Sequence, residues 1–156
     1  MGQVQVRRRG EGTVSRGAAW LFKISGRETD GMFDFMVGEV PYCSGPPLHV
    51  HAEQYDTFYV LAGTLTVQAG DELINLEPGD FVTVPPGIPH TFDNVHLEQV
   101  PVEVINLMVP GGSIDYFDER AQLLQELGPE GDPSYVARCH GITQVGPSLR
   151  TKLGLG

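Results

Sequence analysis

The residues able to do chemistry fall in two short stretches. The first is Pro47-Leu48-His49-Val50-His51, followed by Asp56. In an extended strand residues i and i+2 point to one face, so His49 and His51 project side by side. Two imidazoles facing one enclosed space cost desolvation unless something satisfies both, and a metal ion does so. Asp56 opens the next extended run, where its carboxylate can return to the same spot. Glu53 and Gln54, in the connection, are alternatives to it. The second stretch runs from Gly79 through Pro85-Pro86-Gly87 to His90 and delivers a third histidine just after a tight turn.

Such side chains need a scaffold of short strands. Runs rich in Val, Ile, Phe, Tyr and Thr occupy 4–8, 18–25, 32–40, 48–51, 57–61, 63–68, 72–76, 81–84, 90–95 and 100–109. Between them, Ala62-Gly63, Gly70-Asp71, Glu77-Pro78-Gly79-Asp80 and Pro85-Pro86-Gly87 supply preset or permissive φ angles for turns. With no helix between strands, the pattern predicts an all-β antiparallel sandwich or barrel over roughly residues 15–110. Helical signals follow over roughly 113–141. Ser113 is the expected N-cap of a segment with Ile114, Phe117, Ala121, Leu124 and Leu127 on one face, ended by Gly128-Pro129. A second helix has Asp132 as N-cap, Pro133 at its first position and Gly141 past its end. One domain over residues 1–156, a barrel braced by one or two C-terminal helices, is the expectation.

Parity also sorts the lining. Phe58 and Val60 share the face of Asp56, and Phe92 and Asn94 share that of His90. Phe35 and Met108 complete the candidate pocket, and Phe33, Met36 and Tyr59 are further lining candidates whose direction parity does not fix. Such a wall suits an apolar or aromatic molecule better than a sugar phosphate, which wants Lys and Arg.

The 156 residues suffice for a core, and 40% hydrophobic with 19% charged residues marks a globular chain. Its net charge of −10 argues against nucleic acid and anionic membranes as partners. Arg7-Arg8-Arg9 reads as a solvated arm. Only Cys43 and Cys139 are present, which argues against a disulfide scaffold and fits a reducing cytoplasm; both are expected as small buried hydrophobes. His96 and His140 are expected at the surface. Neither a secretory leader nor a membrane span is visible in this sequence.

Together the two stretches resemble the paired motifs of the cupin family. Gly79, Pro85, Gly87, His90 and Asn94 match the second motif, G-x5-P-x-G-x2-H-x3-N, at every fixed position. His49, His51 and Gly63 match the first, G-x5-H-x-H-x3,4-E-x6-G, with Asp56 in place of the usual Glu and Cys43 in place of the leading Gly. The resemblance implies a single-domain jelly-roll β-barrel holding one divalent transition metal with His49, His51, His90 and Asp56. Three imidazoles and a carboxylate suit Fe, Ni, Mn, Co, Cu or Zn, whereas Mg and Ca prefer oxygen. Asp is one methylene shorter than Glu, so Asp56 either reaches the metal or bonds a histidine or a water. Open coordination positions mark a reactive site.

Within the family, the stretch from Pro47 to Gly63 and the tail from Gly141 to Pro147 are similar to the quercetin-dioxygenase-like group. That implies a dioxygenase of a flavonol-like or polyketide-like aromatic molecule, with Asp56 as ligand, catalytic base or both. Alternatives are a non-redox metal-dependent polyketide cyclase or isomerase and a non-catalytic small-molecule-binding cupin. Pairing into a homodimer is expected.

Overall fold

In the computed structural model, which describes residues 4–96, 101–128 and 131–155, the extended runs become eleven strands. They are β1 (Thr13–Val14), β2 (Trp20–Ile24), β3 (Asp34–Val40), β4 (Pro47–His51), β5 (Tyr55–Ala62), β6 (Leu65–Ala69), β7 (Glu72–Leu76), β8 (Phe81–Val84), β9 (His90–Asp93), β10 (Val102–Val109) and β11 (Ile142–Ser148). Helices α1 (Ser113–Leu127), α2 (Pro133–Cys139) and α3 (Leu149–Lys152) interrupt the last connection and end the chain. The strands form two antiparallel sheets, ordered β1-β2-β3-β10-β5-β8 and β11-β4-β9-β6-β7. This is a jelly roll, mostly β with a few C-terminal helices.

The two-residue period decides what fills it. In β5, Asp56, Phe58 and Val60 are buried while Tyr55, Tyr59 and Leu61 are exposed. They pair with Met108, Asn106 and Val104 of β10, whose intervening residues also turn outward. Val40, Phe58, Val60, Leu65, Val67 and Val104 belong to one apolar cluster between the sheets. Burying a Val, Leu or Phe side chain stabilises by about 1.5–3 kcal/mol, so this cluster fixes the register. The same register corrects one expectation. Phe35 pairs with Leu107, which pairs with Thr57, so Phe35 lies on the outer face of its sheet and lines no interior pocket. Met36, one residue on, is the inward one, at 2% exposure.

Residues 4–8 form no strand, and Val4 and Val6 lie exposed. Two valines among polar residues have no apolar surface to lean on, and β1 already takes the edge beside β2. The sheet does not stop near residue 110 either, because β11 returns to pair with β4. The expected strand start at Val100 and helix stop at Pro129 lie outside the described residues. Cys43 is half-buried and Cys139 exposed, so neither is a core residue. His96 is exposed, and His140 is half-buried beside Glu119 at 2.8 Å. Among the described residues, no helix is long and apolar enough to cross a membrane.

The caps divide by range. Asp132 accepts from the Ser134 N–H at 2.9 Å and starts α2 as its sequence directs. Ser113 does not cap α1; it is the first helical residue, after Gly112. Asp34, from β3, accepts from the Gly112 and Ser113 N–H groups at 2.8 and 2.7 Å and from Gly26 at 2.6 Å. A remote carboxylate thus satisfies donors that a local hydroxyl was expected to satisfy, and it pins the helix start to the sheet. Ile114 and Phe117 then close over Phe22, Met36 and Met108, while Leu127 at the far end is exposed.

Candidate metal centre

The site bridges the two sheets. β4 carries His49 and His51, and β9 sets His90 directly opposite His49. β5, from the other sheet, brings Asp56. The Gly87 N–H donates to the His51 carbonyl at 2.9 Å, which ties the turn before His90 to the end of β4. One donor atom from each of the four side chains lies within 4.8 Å of all the others. His51, Asp56 and His90 are buried, and His49 is half-buried, so the cluster faces solvent on that side.

Each imidazole is oriented through Nδ1. His49 Nδ1 meets the Pro47 carbonyl at 2.8 Å, His90 Nδ1 meets that of Ile88 at 2.8 Å, and His51 Nδ1 meets Gln54 Oε1 at 3.0 Å. A carbonyl oxygen only accepts, so Nδ1 of His49 and His90 holds the proton and Nε2 points inward. His90 Nε2 also lies 3.2 Å from Asp56 Oδ2, and His51 Nε2 lies 4.0 Å from it. Acceptors at both nitrogens favour the doubly protonated form of His90.

Charge follows geometry. Burial, then the neighbouring His90 and His51, pushes His49 down to about 4. Burial likewise lowers His51. Burial alone would lower His90, but its hydrogen bond to Asp56 and that carboxylate's charge raise it above the ordinary value. Burial alone would raise Asp56, but His90, His51 and Asn106 together hold it below the usual carboxylate range. The donor set fits a divalent transition ion. Metal–ligand bonds of about 2.0–2.2 Å need donors about 3–4 Å apart, and an ion bound among these four side chains would offset the buried charge of Asp56.

Asn106 escaped the sequence reading. Its Nδ2 donates to Asp56 Oδ1 and to the Thr57 carbonyl, which fixes the carboxylate's direction. The available signal was a polar residue at an inward position of β10, between Val104 and Met108. Gln54 is no ligand; it binds His51 from behind. Glu53 is exposed, on the wall of an adjoining cleft of about 450 Å³ lined also by Gln54, Ser113, Tyr116, Arg138 and His140. Among the candidate lining residues, Phe58 and Phe92 meet at 4.6 Å, each two residues inward of a clustered side chain. Val60 lies deeper in the apolar core, and Met108 sits opposite Asp56. Phe35 is not brought to the site.

Cys43 stands where the first motif has its leading Gly. Cys43 adopts φ 54°, the left-handed region that glycine enters without penalty. Gly63, where the motif does hold, has φ 73°, and a β-carbon there would approach Val102 Cγ2 at 3.0 Å.

Known proteins agree with this architecture. The Cupin domain profile matches residues 36–109. Quercetin 2,3-dioxygenase of Bacillus subtilis (strain 168) is 32% identical over 85 residues, which are 54% of this chain and 24% of that protein. The chain therefore matches only about a quarter of that relative's length. A Thermus thermophilus structure superposes with a TM-score of 0.56 at 19% identity, over 69% of this chain and 98% of the other. A predicted oxalate decarboxylase from Thermotoga maritima gives 0.54 at 17% identity, over 58% and 78%. At such identities the structural likeness shows the fold alone. All four clustered side chains lie inside the profile match, which identifies residues 36–109 as a cupin domain.

Proposed function

We propose that this protein is a mononuclear metal-dependent dioxygenase of a phenolic or enolic small molecule. The observation that carries the reading is the convergence of His49, His51, His90 and Asp56 within 4.8 Å, in a chain related to a quercetin 2,3-dioxygenase. A divalent transition metal held there supplies Lewis acidity and, where redox-active, a partner for O2. The chain's own residues do the remaining work. The Nδ1 bonds hold the three imidazoles in place. Asn106 occupies Asp56 Oδ1, which leaves Oδ2 turned toward the histidines, where it accepts the proton of a substrate hydroxyl. Phe58 and Phe92 form an apolar floor beneath an aromatic ring.

The test is oxygen uptake on adding a flavonol to protein loaded separately with Fe, Ni, Co and Mn. At least one form is expected to consume O2 as the flavonol disappears. Silence in all four would sink the dioxygenase reading. Asp56→Asn in the active form is expected to slow turnover about 10²- to 10⁴-fold while the metal stays bound.

A further inference from the structure

The three histidines are not held alike. His49 and His90 lean on backbone carbonyls two residues earlier, at Pro47 and Ile88. Of the three Nδ1 contacts, only that of His51 is to a side chain, Gln54 Oε1 at 3.0 Å. The other end of Gln54 settles what that contact is. Gln54 Nε2 donates to the Pro110 carbonyl at 2.9 Å. A carbonyl oxygen only accepts, so the amide turns its NH2 group to Pro110 and presents Oε1 to the imidazole. Oε1 accepts in turn, so Nδ1 of His51 carries the proton and Nε2 keeps the lone pair facing Asp56 and His90. The Pro110 carbonyl is a firm reference, because Asp34 grips the next turn through the Gly112 and Ser113 N–H groups.

We propose that Gln54 is a positioning residue that holds His51 in the tautomer and direction a metal ligand requires, measured against the backbone at the foot of α1. The inference rests on the reading of the cluster as a metal centre. Gln54 also lines the cleft beside Ser113 and Tyr116, so this grip lies on the face of His51 away from the other donors. Partners of this kind, behind a ligating histidine, are worth about 10- to 100-fold in metal affinity.

Gln54→Leu removes both hydrogen bonds. Gln54→Glu keeps an acceptor for Nδ1–H but cannot donate to Pro110. Ring ¹⁵N–¹H correlation spectra of the metal-free proteins at about pH 8, above the ordinary histidine range, report the His51 tautomer directly. Competition with a chelator reports the dissociation constant for Co or Zn. The wild type is expected to hold the Nδ1–H form. Gln54→Leu should lose that preference and bind metal about 10- to 100-fold more weakly, and Gln54→Glu should retain both properties. A Gln54→Leu protein with the wild-type tautomer and affinity would overturn the proposal. So would Gln54→Glu failing as badly as Gln54→Leu, because Gln54 would then act only by stapling Pro110. If the wild type bound no metal, the metal reading would fail, while the tautomer comparison in metal-free protein would still decide what Gln54 does.

Discussion

Followed inward, the same strands carry ionisable groups at one end of the barrel and hydrocarbon at the other. β5 turns Asp56, Phe58 and Val60 inward in succession, β10 turns Met108, Asn106 and Val104, and β9 turns His90 and Phe92. Pairing is continuous from Asp56–Met108 to Val60–Val104, so backbone geometry does not distinguish the two ends. Residue identity does. The apolar end gains by leaving water, whereas the polar end loses hydration and recovers only part of it through the Asp56–His90 and Asp56–Asn106 bonds. The apolar end therefore carries stability, and the polar end carries a cluster whose burial a bound ion would offset.

The sharpest way to break this contrast is to damage the apolar end. Phe58→Ala should destabilise the fold by about 3–5 kcal/mol in urea unfolding and leave metal stoichiometry intact in the folded fraction. Loss of metal from protein that remains folded would show that the two ends are not separable. The reverse experiment adds metal. At about one hundred times the dissociation constant, an ion bound only by the folded state should raise stability by about 2.7 kcal/mol, seen as a higher melting temperature. The rise should vanish in His90→Ala; its survival there would remove His90 from the site.

A smaller effect is expected at the hinge between the ends. Asn106→Leu should weaken metal binding about tenfold by freeing the Asp56 carboxylate to rotate, and should destabilise the metal-free protein by about 1–3 kcal/mol because a buried carboxylate oxygen loses its donor. Equal affinity in mutant and wild type would confine Asn106 to packing. The finest distinction is in pH. His49, pushed down to about 4 from its ordinary 6.5, binds fewer protons in the fold than in the unfolded chain between those values. Its contribution to stability is therefore whole above 6.5 and is lost as pH falls toward 4. His90, raised by Asp56, runs the other way, contributing below its ordinary value and fading as pH rises through its folded value. His49→Leu should flatten the acid side of the melting profile of metal-free protein; a curve parallel to the wild type would mean that His49 is not buried neutral.

Local rules made much of this legible. Alternation within one strand sets His49 beside His51 and Phe58 beside Asp56, and the turn chemistry around Gly63 and Gly87 punctuates the strands as observed. Where the reading missed, the partner lay far along the chain. Ser113 was the obvious local cap, but Asp34 holds α1 from 79 residues away. β11 is a weak strand by composition, with Gly146 and Pro147 inside it, and it forms only because β4 offers an edge. Phe35 looked like its neighbour Met36, and only register against β10 separates their faces.

The sequence alone determined which groups face one way within each strand, because a two-residue period is a property of the backbone. It thereby supplied the three imidazoles and a carboxylate at recognisable spacing. Tertiary structure alone decided that strands of two different sheets converge, bringing Asp56 to His90 across 34 residues and Asn106 to Asp56 across 50. It alone decided that Gln54 turns its oxygen to His51, because the carbonyl of Pro110, 56 residues on, takes the other end of the amide. No spacing rule within a segment encodes those distances, since they are set by how the sheets close on a shared core.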